Sequence, residues 1–302
     1  MADPTGLVLG TNQYGKAETR VVRIYRDAPR HEIRDLSVST ALRGDFTAAH
    51  TEGDQTRVLP TDTQKNTVYA FAKSHGVREV EDFALALGRH FVRDVEPVTS
   101  ARITVDELAW DRAVVDGREH EHTWTRRGPE VRTTAVTVTG QRSWVVSGLR
   151  DLVLLKSTGS EFHDFLVDGY TTLEPTTDRV MATALVARWR YAGEQADWDA
   201  VFASVRSIMV ARFAEVHSLA LQQTLWEMGS AVLAAHPEIA EIRMSAPNKH
   251  HFVVDLSPFG LDNPNEVFHA ADRPYGLIEC AVRRESDEDA ADEAWEAVPG
   301  FV

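Results

Sequence analysis

The chain has 302 residues, 43% of them hydrophobic and 26% charged, enough to bury a core and to form roughly one to three domains. Its net charge of −14 excludes a nucleic-acid partner, which needs a concentrated basic surface, and no apolar run reaches the ~18 residues of a membrane-spanning helix. The lone cysteine, Cys280, allows neither an internal disulfide nor a thiolate cluster. The opening "MADPTGLVLG" lacks the basic-then-apolar pattern of a secretory leader, so a reducing cytoplasm is expected.

In chain order, "KAETRVVRIYR" and "EIRDLSVSTAL" read as strands separated by a turn at Ala28-Pro29. Helices follow in "TDTQKNTVYAFAKSHG", just after Pro60, and in "VEDFALALGRHFV". "ARITVDELAW" and, past a polar turn, "VRTTAVTVTG" read as strands again. From Ser143 the same order recurs. "SWVVSGLRDLVLLKST" and "TTDRVMATALVARWRYA" read as long strands. In "DWDAVFASVRSIMVARFAEVHS", Val201, Phe202, Val205, Ile208, Met209 and Phe213 trace one helical face. A second helix runs from about Leu219 to Ala235 and stops before Pro237. "KHHFVVDL" and "YGLIECAVRR" close the second half as strands around the turn-rich "SPFGLDNPNE".

Two strands, two helices and two strands, twice over, predict an α+β fold with antiparallel sheets and helices on one face. The halves divide as residues 1–142 and 143–302, with a solvated acidic tail from about residue 285 ("ESDEDAADEAWEA"). Such sheets leave a face and edges to be covered, which self-assembly into a closed ring would do.

Candidate chemistry is dispersed. "SAPNKHHF" sets His250 beside His251. As a continuous strand from Asn248 to Leu256 it would put Asn248 and His250 on one face and His251 on the other, and no third or fourth metal ligand stands at a usual spacing. A polar strand start and an Asn248–His250 pair both remain open readings. His120 and His122 in "GREHEHTW" read as a polar loop, and "RGDF" at 43–46 as coincidence. Thr61 and Gln64 fit a capping box after Pro60, where a helix N-terminus is also a ready anion site. "HSLALQQTLWEM" starts a helix at the equivalent place, with Leu221, Leu225, Met228 and Val232 as its packed stripe and Gln222 off it. Phe162 and Arg179 offer an aromatic plate and a guanidinium fork, suited to a flat anionic heterocycle. Each alone is more often a packing residue or a surface ion pair, and Lys16 by itself a solvated lysine. No Walker A, Rossmann, G-x-S-x-G, H-E-x-x-H or C-x-x-C pattern is present.

"NQYGKAETR", "TDTQKNTVYAF", "LKSTGSEFHDFLVDGYTTLEPTTDR", "ALQQT" and "PNKHHF", in this order, closely resemble the urate oxidase (uricase) family, in its bacterial, actinobacterial-type members. The resemblance runs from about Leu9 to Arg284. It implies two tandem tunnelling-fold (T-fold) domains per subunit, and a homotetramer enclosing a tunnel with sites at subunit interfaces. It also implies oxidation of urate by O2 and water to 5-hydroxyisourate and hydrogen peroxide, with no metal and no organic cofactor. Carried over, Phe162 stacks on the purine, Arg179 and Gln222 grip its edges, and the Leu221 amide assists. Thr61 and the Asp62 amide come from the neighbouring subunit. Lys16, Thr61 and His250 form the catalytic relay, and Asn248, with Thr61, holds oxygen or water. The family often has a smaller β-branched residue at the Leu221 position, a small departure because the backbone amide is the contact. The absence of a C-terminal S-K-L fits a bacterial cytoplasm.

Two alternatives stand beside this reading. A purine or pterin hydrolase or epimerase of the same fold would need zinc ligands or a carboxylate anchor. A catalytically silent purine binder would keep Phe162, Arg179 and Gln222 and lose Lys16, Thr61 and His250, all of which are present here.

Overall fold

The computed structural model describes residues 6–271, 273–285 and 292–295; most of the expected acidic tail lies outside them. The chain divides into two compact units. The first comprises Met1–Ser147, Arg190–Trp198 and Glu288–Val302, the second Gly148–Trp189 and Asp199–Asp287.

In the first unit, β1 (Tyr14–Tyr25), β2 (Glu32–Gly44), β3 (Val98–Val115) and β4 (Arg118–Thr139) lie side by side as an antiparallel meander. Residues paired across strands share a face, so Leu42–Ala101–Val138 and Thr40–Ile103–Val136 form rows on one side of the sheet. The apolar members of these rows are buried. Helices α1 (Thr47–Thr51), α2 (Thr61–Ser74) and α3 (Val80–Asp94) complete the unit. Helix α3 buries Phe83, Leu87 and Phe91 and approaches the sheet at Gly88, where a Cβ would lie 2.7 Å from Val138 Cγ2. Glu81, fully buried, accepts from Arg132 Nη2 (2.8 Å), Thr134 Oγ1 (3.0 Å) and Ser147 Oγ (2.6 Å); a buried carboxylate needs that full set of partners.

The first unit departs from the sequence reading in one place. "GREHEHTW" is not a loop but part of β4, because Asp116 (φ 50°) and Gly117 (φ 74°) close a two-residue turn between the paired Val115 and Arg118. Both central residues at positive φ define the hairpin turn that Asp-Gly favours.

In the second unit, β5 (Ser143–Lys156, its first residues in the first unit), β6 (Met181–Tyr191, its last two residues in the first unit), β7 (Ile239–Asn248) and β10 (Gly276–Arg283) follow one another in the sheet. A separate ribbon pairs β8 (His251–Val253) with β9 (Phe268–Ala270). Helix α4 (Trp198–Glu215) buries Val201, Val205, Met209 and Phe213, and Phe202 meets Trp189 of β6 at 5.9 Å. Helix α5 (Leu221–Ala235) buries Leu221, Leu225, Met228 and Val232, the expected stripe. It closes on the sheet at Gly229, where a Cβ would lie 2.6 Å from Val282 Cγ2. Each unit therefore seats one long helix through a glycine, α3 against β4 and α5 against β10.

Two strand readings need correction here. β6 begins only at Met181, and the run before it is irregular. The expected strand 248–256 breaks after Asn248: Lys249 N–H donates to Ala182 O (2.8 Å), and the chain re-enters sheet structure at His251 in the separate ribbon. Cys280, half-buried on β10 opposite Met244, has its thiol pKa pushed up by burial. The short helix α6 (Asp292–Trp295) packs Ala294 on Val146 in the first unit. Among the described residues no helix is long and apolar enough to cross a membrane.

Candidate active site

Lys16 and Thr61 belong to the first unit. Lys16 pairs with Thr40, so it joins the Thr40–Ile103–Val136 row at the sheet edge. Immediately after it the register slips, from Lys16↔Thr40 to Thr19↔Val38, with Glu18 at φ 55°. Such a bulge bends the strand and re-aims its side chains. Gly15 is needed for the approach: a Cβ there would lie 1.7 Å from Thr40 O. The Thr40 hydroxyl accepts the Lys16 N–H (3.2 Å) and donates to Gln64 Oε1 (2.6 Å).

That last contact overturns the capping box. The N-cap of α2 is Pro60 (φ −54°, ψ 141°), with no side-chain cap, and the fully buried Gln64 donates from Nε2 to Leu59 O (3.5 Å) instead of accepting a helix-start amide. The first helical bond runs from Gln64 N–H to Pro60 O (3.1 Å), which leaves the amides of Thr61, Asp62 and Thr63 pointing out of the positive end of the helix. The exposed Asp62 carboxylate is held below its ordinary pKa by its hydrogen bond and ion pair with Lys65, assisted by Asn66 (3.1 Å) and the positive charge of Lys16. Lys16 is thus within electrostatic reach of this helix start.

The other candidates lie in the second unit. Phe162 is fixed by a pair of backbone bonds with Thr176 (2.8 and 2.9 Å), and its ring stacks on Phe165 at 5.1 Å and 16°. Arg179 Cζ lies 5.1 Å from the Phe162 ring centroid. The Arg179 N–H and Nε–H both donate to Ser160, to its carbonyl (2.8 Å) and hydroxyl (3.2 Å). Arg179 is half-buried, its pKa is lowered by desolvation, and no carboxylate pairs with it among the described residues. Helix α5 begins after Ala220 (φ −162°, ψ 154°), again with no side-chain cap. Thr224 N–H makes the first helical bond, to Ala220 O (3.2 Å), so the amides of Leu221, Gln222 and Gln223 point outward. The Leu221 side chain is buried and Gln222 exposed.

Asn248 ends β7 opposite Gly276. His250, in the break between strands, accepts the Ala271 N–H at its carbonyl (2.9 Å) and stacks on Phe252 (5.7 Å, 29°). Burial first, then the Arg179 and His251 charges, push its pKa below the ordinary 6.5, so the ring is neutral at neutral pH. His251 differs: its Nδ1 contacts Lys249 O (3.0 Å) and its ring meets Phe268 edge-on. The two histidines are distinguished by a chain break, not by strand alternation.

Within the second unit, then, an aromatic plate, an unpaired guanidinium, a helix start and a neutral imidazole are available to a planar anion. The side-chain polar groups of Lys16, Thr61, Gln222, Asn248 and His250 make no hydrogen bond or ion pair among the described residues. Sequence reasoning missed Phe165, Ser160 and Thr40. An aromatic three residues after Phe162 was a visible signal; the two hydroxyls had none. The other motifs serve the fold. His120 and His122 are edge-to-face neighbours on β4 (4.5 Å), Phe46 of "RGDF" is buried against Tyr14 (4.8 Å), and no group of three His, Cys, Asp or Glu among the described residues is placed to hold a metal ion.

The fold is that of a tunnelling-fold protein. The sequence model of the family described as Uricase matches residues 12–137 and 145–279. The chain is 55% identical to the uricase of Arthrobacter globiformis over 98% of its length and 96% of that protein's. It is 34% identical to the uricase of Dictyostelium discoideum, over 90% and 96% of the respective chains. The crystal structure of the Arthrobacter globiformis uricase superposes with a TM-score of 0.89 at 56% identity, covering 93% of this chain and 96% of that one. A uricase structure from Bacillus fastidious superposes with a TM-score of 0.80 at 25% identity, covering 98% and 99%. The chain belongs to the uricase family.

Proposed function

We propose that the protein, a urate oxidase by family, oxidises urate with O2 and water to 5-hydroxyisourate and hydrogen peroxide, without metal or organic cofactor. The observation that carries the substrate assignment is Arg179: a half-buried cation beside an aromatic ring, with no carboxylate among the described residues to neutralise it. Leaving such a charge unpaired is costly unless a ligand supplies the anion. Urate is flat, anionic near neutral pH and edged with carbonyl and N–H groups. Phe162 stacks on the ring, while Arg179, Gln222 and the Leu221 amide hold its edges. This local cradle also opposes the global charge of −14, which would otherwise repel the substrate.

Thr61 and the Asp62 amide reach the substrate from a neighbouring copy, at the open end of α2, in a homotetramer of subunits with two T-fold domains each (1–142 and 143–302). Lys16, Thr61 and His250 form a proton relay. Removing a proton from the urate anion raises its electron density and eases transfer of two electrons to O2. O2 takes up two protons and leaves as peroxide. Water then adds its oxygen at C5, held by Asn248 and Thr61. A neutral His250 can accept a proton at this stage, which an imidazolium could not. The bacterial cytoplasm is the fitting compartment.

The test follows urate's ultraviolet absorbance with chelator-treated protein, alongside oxygen uptake and peroxide release. The expected result is one O2 consumed and one peroxide released per urate. Binding of urate without oxygen uptake identifies a silent purine binder instead, and activity that returns only with added metal overturns the cofactor-free mechanism.

A further inference from the structure

Arg179 and the start of α5 are tied to one buried chain of hydroxyls that meets at a thioether. Ser160 accepts Nε–H of Arg179 at its hydroxyl oxygen (3.2 Å) and directs its own proton at Met181 Sδ (3.6 Å). Ser218 directs its proton at the same sulfur (3.6 Å) and accepts from Thr224 Oγ1 (2.8 Å). Thr224 stands in the first turn of α5, two residues after Gln222. The backbone reinforces the link: Ser218 N–H donates to Gly159 O and Glu161 N–H to Ser218 O, both at 2.9 Å. Ser160, Met181, Ser218 and Thr224 are all fully buried.

A hydroxyl has one proton. In both serines it is committed to the sulfur, so the oxygen lone pairs face fixed directions, one toward Arg179 and the other toward Thr224. Met181 is the shared acceptor, and Ser160 cannot turn without leaving a buried donor unpaired; Thr224 Oγ1 also lies 3.4 Å from Ala220 O, so its hydroxyl joins Ser218 to the backbone just before α5. The guanidinium is gripped at Nε, while its terminal nitrogens make no hydrogen bond among the described residues.

We infer that Ser160, Met181 and Ser218 are positioning residues that fix the guanidinium of Arg179 relative to the first turn of α5, and so set the spacing of the two grips on the substrate's edges. The inference rests on the urate reading above. It assigns the chain to substrate binding and not to proton transfer, because every link leads to Arg179 or to the Gln222 turn.

The test uses the intact protein with Ser160→Ala and, separately, the nearly volume-conserving Met181→Leu. Melting temperature checks folding, steady-state kinetics separates KM from kcat, and calorimetry measures the Kd for xanthine, a purine with the same dioxo ring. Losing a hydrogen bond to a charged group is expected to raise the urate KM and the xanthine Kd together by roughly tenfold in Ser160→Ala, and by about threefold in Met181→Leu. The turnover number stays within about twofold, since the relay is untouched. A folded variant with unchanged KM and Kd, whatever its melting temperature, overturns the inference; so does a fall in kcat at constant KM. Should Ser160→Ala fail to fold, Met181→Leu decides alone. A wild type that consumes no urate sinks the activity reading, yet its xanthine Kd against those of the variants still decides this one. If the wild type binds no xanthine either, both fall.

Discussion

Helix α2 begins at Pro60 and α5 at Ala220, and neither supplies a capping side chain. A Ser, Thr, Asp or Asn there would stabilise each helix by about 1 kcal/mol. Both helices forgo it and keep their first-turn amides open. Four positions past the N-cap, Gln64 and Thr224 are both fully buried, tied to Thr40 and Ser218 respectively. The frame is the same; the residues at the first two helical positions are not. Thr61 is half-buried and presents a hydroxyl, whereas Leu221 buries its side chain and offers only its amide. Asp62 is occupied by Lys65 and Asn66, whereas the Gln222 amide is uncommitted. On the proposed reading, a duplicated plan is filled with a proton-handling end in one unit and a substrate-gripping end in the other.

The sharpest way to break that division is kinetic. Thr61→Val is expected to lower kcat by about 10²-fold or more, the usual weight of a positioned acid–base group, with KM changed little. Gln222→Ala should instead raise KM by roughly tenfold at near-constant kcat. Steady-state kinetics in which the two patterns trade places would show that the ends are not specialised this way. A smaller effect tests whether the scaffold is equivalent in both units. Gly88→Ala and Gly229→Ala each drive a methyl into a valine, Val138 or Val282, and overpacking of this kind costs about 1–3 kcal/mol. Similar losses in denaturant unfolding are expected; a loss confined to one variant would mean that only one helix is seated this tightly.

The smallest effect concerns His250. Its pKa lies below 6.5, chiefly through burial and secondarily through the Arg179 charge. The folded state therefore binds this proton more weakly than the unfolded chain. Stability from this group is intact above about pH 6.5 and is lost as pH falls toward the depressed folded value. Arg179→Gln removes the cation, so the His250 titration followed by NMR should move upward, by less than the full depression because burial remains. A titration that does not move would remove Arg179 from the electrostatics of this ring.

Much of this was legible in the sequence. Helical periodicity marks the α4 and α5 stripes, Pro60 marks the start of α2, and the Phe162–Arg179 pairing suggests a planar anion. What escaped was set by tertiary contact. Nothing local foretells that Glu18 adopts a positive φ, and the bulge follows from how Gly15 and Lys16 meet Thr40. The strand break at Lys249 is made by a carbonyl on another strand, Ala182. The polar arm of β4 is exposed on both faces over most of its length, so no hydrophobic alternation marked it, although Asp116-Gly117 was there to be read. Gln64 shows the opposite hazard: a residue matching a local motif was taken by the core instead.

Cys280 carries a consequence for endurance. In the proposed reaction every turnover releases an oxidant into a protein whose lone thiol sits half-buried on β10 with a raised pKa. Peroxide attacks the thiolate, and raising the pKa shrinks the thiolate fraction. An enzyme making hydrogen peroxide in this way would keep its one sulfhydryl mostly as the slowly reacting thiol, which favours a long working life over a redox-sensing one.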